Sequence, residues 1–297
     1  MRNIVVIGAG TMGNGIAHVF AQNGFETTLN DLNGDQLQKA EATILKNLDR
    51  LLLKGKISEE LKHKTLGRLQ FATQANLAIK QADLIIEAAT ENFEIKKKIF
   101  NDVMPIAPSH CIFATNTSSI SIDRLAREIP QPERLIGIHF FNPVPVMQLV
   151  EIIKGEKTTS EVTKKTEELI FKLNKTGVFV NDAPGFISNR ILMPMVNEAV
   201  DALSQGVAGV KEIDTIIQLG MAHPMGPLRL ADLIGLDVCK SILEIMHSGL
   251  KNDKYTPSPL LVKRVEEGKL GVKSGIGFYN YTIDPKNPTV DFKDKKK

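Results

Sequence analysis

Short apolar runs alternate with amphipathic stretches along the first part of the chain. The runs show little alternation of polar and apolar residues, which is typical of strands covered on both faces. The stretches between them place apolar residues at helical spacing, as over 35–53 and 160–173. The predicted strands are 3–7, 27–31, 69–71, 84–88, 112–115, 135–139, 149–153 and 177–180. Strands that alternate with helices predict an α/β fold with a doubly wound, mostly parallel sheet.

The pattern changes near Pro184. From Phe186 onward the chain shows helical periodicity and few strand signals. The best predicted helices are 187–204, 210–219 and 228–248. We therefore predict two domains. Residues 1–183 form the first, with a helical hairpin inserted near 35–67, and residues 184–297 form an all-helical second domain.

The composition is ordinary for a globular protein. Of the 297 residues, 42% are hydrophobic and 24% are charged, and a net charge of +3 gives no reason to expect nucleic acid as a partner. No apolar run approaches the roughly 20 residues of a membrane span, and the first strand leaves no room for a targeting peptide. We therefore expect a cytoplasmic protein that does not bind membranes. Cys111 and Cys239 lie in apolar runs, which predicts buried thiols, and no Cys/His cluster predicts a metal site.

The first predicted strand runs into a glycine-rich turn, Gly8-Ala9-Gly10-Thr11-Met12-Gly13. Gly8 allows a tight turn, Gly10 lets the backbone approach a pyrophosphate, and Gly13 lets the next helix pack against the strand. Thr11 and Met12 open that helix, whose N-terminal N–H groups favour phosphate. The alternative is a similar turn in an α/β domain that binds no nucleotide.

An acid at the end of the second predicted strand favours the nucleotide interpretation. Asp31 stands where a carboxylate accepts hydrogen bonds from ribose hydroxyls and repels a 2′-phosphate. We therefore predict a dinucleotide cofactor, and NAD rather than NADP.

Polar residues follow three more of the predicted strands. Glu91 and Asn92 come after the fourth strand, 116–119 (Asn-Thr-Ser-Ser) after the fifth, and His139 at the end of the sixth, with Asn142 close behind. Because ligands bind beyond the carboxyl ends of doubly wound strands, we expect these residues to converge.

His139 is the candidate general base, because imidazole titrates near neutral pH and can take the proton of an alcohol. Glu151 is the nearest plausible carboxylate to orient it. Ser118 is a candidate hydrogen-bond partner for the substrate oxygen, and Asn189 is a candidate from the second domain. The alternatives are a hydrogen-bonded core histidine, a surface acid at Glu151, and residues 116–119 that merely cap a helix at Ser121.

Three cations recur at four-residue steps on the helix of the hairpin. Lys46, Arg50 and Lys54 share one face, and Lys56 follows. The stripe is either a solvated face or a binding surface for the phosphate-bearing tail of a ligand.

Specific motifs give the chain a family resemblance from about Arg2 to Tyr281. They are Gly8–Gly13, Ile86-Glu87-Ala88, Glu91-Asn92, Asn116-Thr117-Ser118-Ser119, His139-Phe140-Phe141-Asn142-Pro143-Val144, Pro184-Gly185-Phe186, Asn189-Arg190, Pro224-Met225-Gly226-Pro227 and Lys273-Ser274-Gly275-Ile276-Gly277-Phe278-Tyr279. With these the chain resembles the L-3-hydroxyacyl-CoA dehydrogenases, and among them the short bacterial enzymes. The resemblance implies a Rossmann-type first domain and an all-helical second domain.

The resemblance also implies a reaction, in which NAD oxidises the 3-hydroxyl of an acyl-CoA or NADH reduces a 3-ketoacyl-CoA. Short-chain substrates such as 3-hydroxybutyryl-CoA and acetoacetyl-CoA are expected. His139 is implied as general acid/base and Glu151 as its orienting partner. Ser118 and Asn189 are implied to contact the reacting oxygen and the imidazole. The implied cofactor contacts are Gly8, Gly10, Thr11, Met12, Gly13, Asp31, Glu91, Lys96, Asn116, Ser118, Asn142 and Lys273.

The resemblance changes the interpretation of the basic stripe. Lys54 matches a lysine that holds the coenzyme A tail, and Asn47 stands where some relatives carry serine. Together with Arg50, Lys56 and Ser118, these two residues are the implied coenzyme A contacts. A homodimer through the second domain is also implied.

Two competing functions remain open at the level of sequence. One is a dehydrogenase of a free hydroxy acid or sugar acid, which needs no coenzyme A site. The other is a non-catalytic NAD-binding structural or sensor protein. The set Ser118, His139, Glu151 and Asn189 argues against the second, because a binding module needs no base–carboxylate pair.

Overall fold

The structure is a computed structural model that describes residues 1–292. The chain divides into two compact units, Met1–Ala183 and Pro184–Lys297. The division falls where the strand pattern of the sequence ends.

An eight-stranded sheet forms the centre of the first unit. Its strands are β1 (Asn3–Ile7), β2 (Glu26–Asn30), β3 (Leu69–Ala72), β4 (Leu84–Glu87), β5 (Ile112–Thr115), β6 (Leu135–Phe140), β7 (Leu149–Lys154) and β8 (Thr176–Asn181). Their order across the sheet is β3-β2-β1-β4-β5-β6-β7-β8. Neighbouring strands are parallel except β6 and β7, which run antiparallel. The order reverses between β1 and β4, and such a switch point is where doubly wound sheets bind ligands.

The helices of the first unit follow the amphipathic stretches of the sequence. They are α1 (Thr11–Gln22), α2 (Gly34–Leu53), α3 (Glu59–Gly67), α4 (Asn76–Ile79), α5 (Phe93–Val103), α6 (Ile122–Ala126) and α7 (Ser160–Lys172). Asn33, Ser58 and Asn92 cap α2, α3 and α5 by accepting hydrogen bonds from backbone N–H groups of the first turn. Strands β4, β5 and β6 are buried over their whole length, which explains why their sequences do not alternate.

The second unit is built mainly from helices. They are α8 (Ser188–Ser204), α9 (Val210–Thr215), α10 (Pro227–Ile234), α11 (Leu236–Leu250) and α12 (Pro259–Glu266). A short antiparallel ribbon, β9 (Tyr279–Asn280) with β10 (Thr289–Val290), adds to them. The predicted fold class, a doubly wound, mostly parallel sheet followed by a helical domain, is confirmed.

The single helix predicted over 228–248 is wrong, because it is two helices that meet at Gly235. The backbone there has φ +107°, a conformation that ends a right-handed helix and favours glycine. A Cβ at this position would lie 3.1 Å from the Lys273 ammonium. Periodicity alone does not detect such a break, because the apolar spacing continues across it.

Two buried carboxylates fasten the C-terminal part of the second unit. Asp214 accepts hydrogen bonds from the Leu228 and Arg229 N–H groups at the start of α10 and from the Tyr279 hydroxyl. Asp232 accepts from the Phe278 and Tyr279 N–H groups and from the Tyr281 hydroxyl.

None of the helices within residues 1–292 has the length and apolar character needed to cross a bilayer.

Candidate active site

The antiparallel pairing of β6 and β7 places His139 directly opposite Glu151. The imidazole Nδ1 lies 2.8 Å from Glu151 Oε2. The carboxylate is almost fully buried, with 1% of Glu151 exposed, and His139 is 7% exposed. The two residues are therefore a close pair with little access to water, and Glu151 is not a surface acid.

This pair determines which imidazole nitrogen can act as a base. An ionised carboxylate can only accept hydrogen bonds, so Nδ1 carries the proton that Glu151 accepts. The neutral imidazole then has its lone pair on Nε2. That atom lies 3.3 Å from the Ser118 hydroxyl, on the loop after β5. A base nitrogen and a hydroxyl thus lie side by side at the carboxyl edge of the sheet.

The loop that carries Ser118 is held by the carboxylate of Glu91. Glu91 Oε1 accepts hydrogen bonds from the Thr117 hydroxyl (2.6 Å), the Ser118 N–H (3.0 Å) and the Ser119 N–H (3.0 Å). It also accepts from the Ser119 hydroxyl at 2.8 Å. Burial by itself raises the pKa of Glu91, but the nearby Lys96 charge and these hydrogen bonds outweigh it and lower the pKa below its usual range. Glu91 is therefore ionised when it holds the loop.

Lys96 lies behind Glu91 and is completely buried. Its ammonium is 2.8 Å from Glu87 Oε2 and 3.4 Å from Glu91 Oε2. Glu87, at the end of β4, is also fully buried and accepts a hydrogen bond from the Thr115 hydroxyl at 2.7 Å. The structure thus places Lys96 between two carboxylates, the buried Glu87 and the partly exposed Glu91. Sequence reasoning gave Glu87 no role, although an acid ending an apolar strand, nine positions before a lysine, is a signal for such a pair.

Asn116 connects the strands on either side of the Ser118 loop. Its side-chain oxygen accepts the Phe140 N–H at 2.9 Å, and the residue is buried. This bond holds the end of β5 against the end of β6, next to His139. The convergence predicted for Glu91, residues 116–119 and His139 is present in the structure.

The glycine-rich turn has the geometry that a bound pyrophosphate needs. Gly8 has φ +103°, and a Cβ on Gly13 would lie 1.7 Å from the Gly8 carbonyl oxygen, so neither position admits a side chain. A Cβ on Gly10 would meet no atom within 4 Å, which leaves space above the backbone there. Within the described residues no side chain caps the N-terminus of α1, so its first N–H groups are left for another acceptor. Met12 packs against the core instead.

Asp31 braces the same turn. One carboxylate oxygen accepts the Ala9 N–H at 2.8 Å and the other accepts the Asn33 N–H at 2.9 Å. The carboxylate is therefore held beside the turn and retains lone pairs for ribose hydroxyls, since each oxygen accepts more than one hydrogen bond.

A cleft of about 270 Å³ opens beside the glycine-rich turn. The loop after β6, from Asn142 to Pro145, forms one wall, and Ala9 and Thr11 of the turn form another. Polar side chains of α2, including Asn47, continue the lining. Thr11, Asn142 and Asn47 are thereby brought together. Arg50, Lys54 and Lys56 are exposed and do not line this cleft.

Two predicted residues belong to the second unit. Asn189 lies in the first turn of α8 and is buried. Lys273 forms an ion pair with Asp237, with 2.5 Å between Nζ and Oδ1.

Within residues 1–292 no group of three or more His, Cys, Asp or Glu residues is arranged to hold a metal ion.

A nucleotide-binding turn and an imidazole–carboxylate pair at one edge of a doubly wound sheet are the parts of a nicotinamide-dependent dehydrogenase. Comparisons with known proteins define the class further. Residues 3–183 match the family model described as 3-hydroxyacyl-CoA dehydrogenase, NAD binding domain, and residues 185–281 match 3-hydroxyacyl-CoA dehydrogenase, C-terminal domain. The chain therefore belongs to the 3-hydroxyacyl-CoA dehydrogenase family.

Individual relatives match over nearly their whole length. The 3-hydroxybutyryl-CoA dehydrogenase of Bradyrhizobium diazoefficiens is 49% identical over 95% of this chain and 96% of that protein. The enzyme of the same name from Clostridioides difficile is 44% identical over 94% of this chain and 99% of that protein. The crystal structure of (S)-3-hydroxybutyryl-CoA dehydrogenase from Ralstonia eutropha has a TM-score of 0.91 and 43% identity, covering 95% of this chain and 99% of that one.

These findings confirm the family resemblance, the dehydrogenase class and NAD as the cofactor. The space over Gly10, the uncapped N-terminus of α1 and the braced Asp31 fit that cofactor. The roles of individual side chains stay predictions.

Proposed function

We propose that this chain interconverts short-chain L-3-hydroxyacyl-CoA and 3-ketoacyl-CoA, with NAD and NADH as the redox partner. The observation that carries the proposal is the buried pair of His139 and Glu151, with Ser118 beside it, at the edge of the sheet that also carries the glycine-rich turn. The names of the relatives, 3-hydroxybutyryl-CoA dehydrogenases, support a four-carbon acyl group.

His139 moves the proton in this proposal. Its Nε2 lone pair takes the proton of the substrate 3-hydroxyl, and in the reverse direction the imidazolium returns a proton to the 3-keto oxygen. Glu151 holds Nδ1–H and stabilises the positive charge that forms on the ring. Bound NAD supplies the carbon that accepts hydride from substrate C3.

Ser118 positions the reacting oxygen. Its hydroxyl is 3.3 Å from the base nitrogen, so an oxygen that contacts both atoms is already oriented for proton transfer. Glu91 fixes the backbone on both sides of Ser118 and thereby limits where the hydroxyl can lie. Asn189 is proposed to contact the same oxygen or the imidazole from the second unit.

The cofactor is bound by the glycine-rich turn and Asp31, and Asp31 selects NAD over NADP by repelling a 2′-phosphate. Glu91, Asn116, Asn142 and Lys273 are proposed as further contacts or supports. Because Lys96 is buried against Glu87, it contributes by fixing Glu91.

The coenzyme A tail is proposed to bind along α2 and the turn after it. Asn47 lies in the cleft, and Arg50, Lys54 and Lys56 are exposed cations farther along the same segment. Cations of this kind attract the phosphates of coenzyme A, with a strength that falls as salt increases.

We also infer a homodimer through the second unit. This unit leaves large apolar side chains exposed within the chain, including Ile191 (67%), Leu219 (78%) and Met221 (61%). Sedimentation equilibrium should give twice the mass of the chain. A monomer at micromolar concentration would contradict this inference.

A reducing compartment, the cytoplasm, fits the two thiols. Cys111 and Cys239 are buried and unpaired, and burial raises the pKa of each thiol to about 12. Fractionation of cells that express the protein should recover it with cytoplasmic markers.

The central experiment compares acetoacetyl-CoA with free acetoacetate as substrates for NADH oxidation, with NADPH as the alternative cofactor. Turnover confined to the CoA ester and to NADH is the expected result. Equal turnover of free acetoacetate would point to a dehydrogenase of free acids. Tight NADH binding without turnover of either substrate would point to a non-catalytic NAD-binding protein.

A further inference from the structure

A buried lysine immediately before β8 holds the loop that follows the candidate base. Lys175 is 8% exposed, and its ammonium donates hydrogen bonds to the carbonyl oxygens of Val144 (2.7 Å) and Met147 (2.6 Å). The neighbouring residue, Asn174, donates to the Asn23 side chain at the end of α1 with a distance of 2.9 Å. The turn between α7 and β8 therefore connects the helix of the glycine-rich turn to the loop after β6.

The partners of Lys175 are unusual for a buried cation. In the part of the chain that the structure describes, no carboxylate pairs with it, and its hydrogen bonds go to backbone carbonyls. Burial lowers the pKa of Lys175 below its ordinary value, with no opposing charge to raise it. A charge buried without a counter-ion adds little net stability, so its contribution is to fix the position of those carbonyls.

The loop that Lys175 holds is compact and lies against α1. The Val146 and Met147 N–H groups both donate to the Pro143 carbonyl, which closes a turn. Val144 is buried against Gly15 of α1, where an added Cβ would lie 2.9 Å from the Val144 Cβ. The hydrogen bonds of Lys175 thus fasten this turn to the edge of the sheet at β8, next to the Thr176 N–H bond to the Gln148 carbonyl.

The same loop forms one wall of the cleft beside the glycine-rich turn, from Asn142 to Pro145. Hydride transfer requires the reactive end of the cofactor to lie near His139, three residues before Asn142. Under the proposed function, Asn142 and the loop that follows it are therefore placed at the nicotinamide half of the cofactor.

We propose that Lys175 is a positioning residue, which holds the loop from Asn142 to Met147 in the conformation that binds the nicotinamide half of NAD. The inference rests on the proposed function, which decides that the nicotinamide half of the cofactor lies near His139. Lys175 acts through the backbone carbonyls of the loop and does not contact the cofactor.

The test compares the affinities of two ligands, NADH and ADP-ribose, for the Lys175→Met variant. This variant keeps much of the side-chain volume and removes the donors. NADH carries the nicotinamide and ADP-ribose lacks it, and both affinities can be measured by calorimetry without turnover. We expect the Kd of NADH to rise about tenfold, the effect of losing one modest interaction, while the Kd of ADP-ribose changes by less than about twofold. Lys172→Met, at an exposed lysine three residues earlier, is the matched control and should change neither value.

A double-mutant cycle with Asn142→Ala asks whether Lys175 acts through this loop. If it does, the losses in NADH affinity are not additive, because Lys175 has less to position once the Asn142 side chain is gone. Lys175→Arg keeps the charge and several donors and should recover part of the affinity. If Lys175→Met does not fold, Lys175→Arg is used in its place, alone and combined with Asn142→Ala. The same cycle then shows whether Lys175 acts through this loop.

Three outcomes overturn the inference: unchanged NADH affinity, equal losses for NADH and ADP-ribose, or additive losses in the cycle. Equal losses would mean that Lys175 supports the domain in general. Failure of the proposed function is detected separately, because it appears as absent acetoacetyl-CoA turnover in the unmodified chain, whatever the binding ratio between the variants.

Discussion

Carboxylates with shifted pKa values occur in both units, and the shifts have opposite directions. In the first unit, the pKa of the partly exposed Glu91 is lowered, because the Lys96 ammonium lies 3.4 Å away and hydroxyl and N–H donors surround one oxygen. In the second unit, burial raises the pKa of Asp232 to about 6, and donors from Phe278, Tyr279 and Tyr281 only partly oppose this effect. The Lys96 charge is the largest cause that lowers the pKa of Glu91, whereas the Arg264 charge is the smallest cause acting on Asp232, where burial prevails.

The difference separates two surroundings of a carboxylate. At the edge of the sheet, Glu91 holds the Ser118 loop and Glu151 contacts His139, so we expect changes at these two carboxylates to affect turnover. In the second unit Asp232 joins α10 to the ribbon at Tyr279 by backbone hydrogen bonds, so it serves the fold. Substitutions in the two regions should therefore affect turnover and stability in different proportions.

The largest effect is expected for His139→Gln. Removing the base should lower kcat by about a thousandfold, within the range typical of general acid–base catalysis, while NADH affinity and Tm change little. Steady-state kinetics and NADH titration measure the two quantities. His110→Gln, at an exposed histidine, is the control. Near-native turnover in the His139 variant would remove this region from the reaction.

Lys96→Met should affect both the fold and the site. It leaves Glu87 buried without its cation, which typically costs about 3 kcal/mol or more in the free energy of unfolding. It also releases Glu91 and with it the Ser118 loop, so kcat/KM should fall. Urea unfolding and kinetics measure the two effects. Lys98→Met changes an exposed lysine two residues away and should leave both unchanged. A loss of stability with full activity would show that the loop does not depend on Lys96.

Glu151→Gln keeps the shape of the pair and removes its charge. The imidazolium formed during the reaction then lacks a counter-ion, and kcat should fall by about a hundredfold. Substitution of the exposed Glu156 by Gln serves for comparison. Unchanged kcat would mean that Glu151 only packs against His139.

The smallest effect is a difference in pH dependence. Because the folded-state pKa of Asp232 is raised, its contribution to stability is present below about pH 4 and is lost as pH rises through about 6. This loss lowers the free energy of unfolding by about 2 kcal/mol between the two ends of that pH range. The pKa of Glu91 is lowered in the folded state, so its contribution is present above its ordinary pKa and is lost as pH falls.

Unfolding of Asp232→Asn and Glu91→Gln between pH 4 and 7 measures this contrast. In the unmodified chain, Asp232 makes the fold less stable as the pH rises, so this loss should be absent from Asp232→Asn. Glu91 makes the fold less stable as the pH falls, so that loss should be absent from Glu91→Gln. Parallel pH profiles for the two variants would contradict the opposite pKa shifts.

Much of the fold follows from local sequence. The apolar runs of β4, β5 and β6 do not alternate because these strands are buried on both faces, and the turn from Gly8 to Gly13 depends on Gly8 and Gly13, where a Cβ does not fit. These signals are local, because each depends on a few consecutive residues. Periodicity failed at Gly235, where the apolar spacing continues but the backbone does not remain helical.

The sequence by itself determined the fold class, the nucleotide-binding turn with Asp31, and His139 and Glu151 as candidates. Only the tertiary structure decided that β7 runs antiparallel to β6, which sets Glu151 opposite His139 at 2.8 Å. It also decided that Lys96 is buried with Glu87 and that Lys175 reaches the Val144 loop. The physical reason is that a side chain's partner is set by strand direction and register, which bring together residues that no local spacing connects.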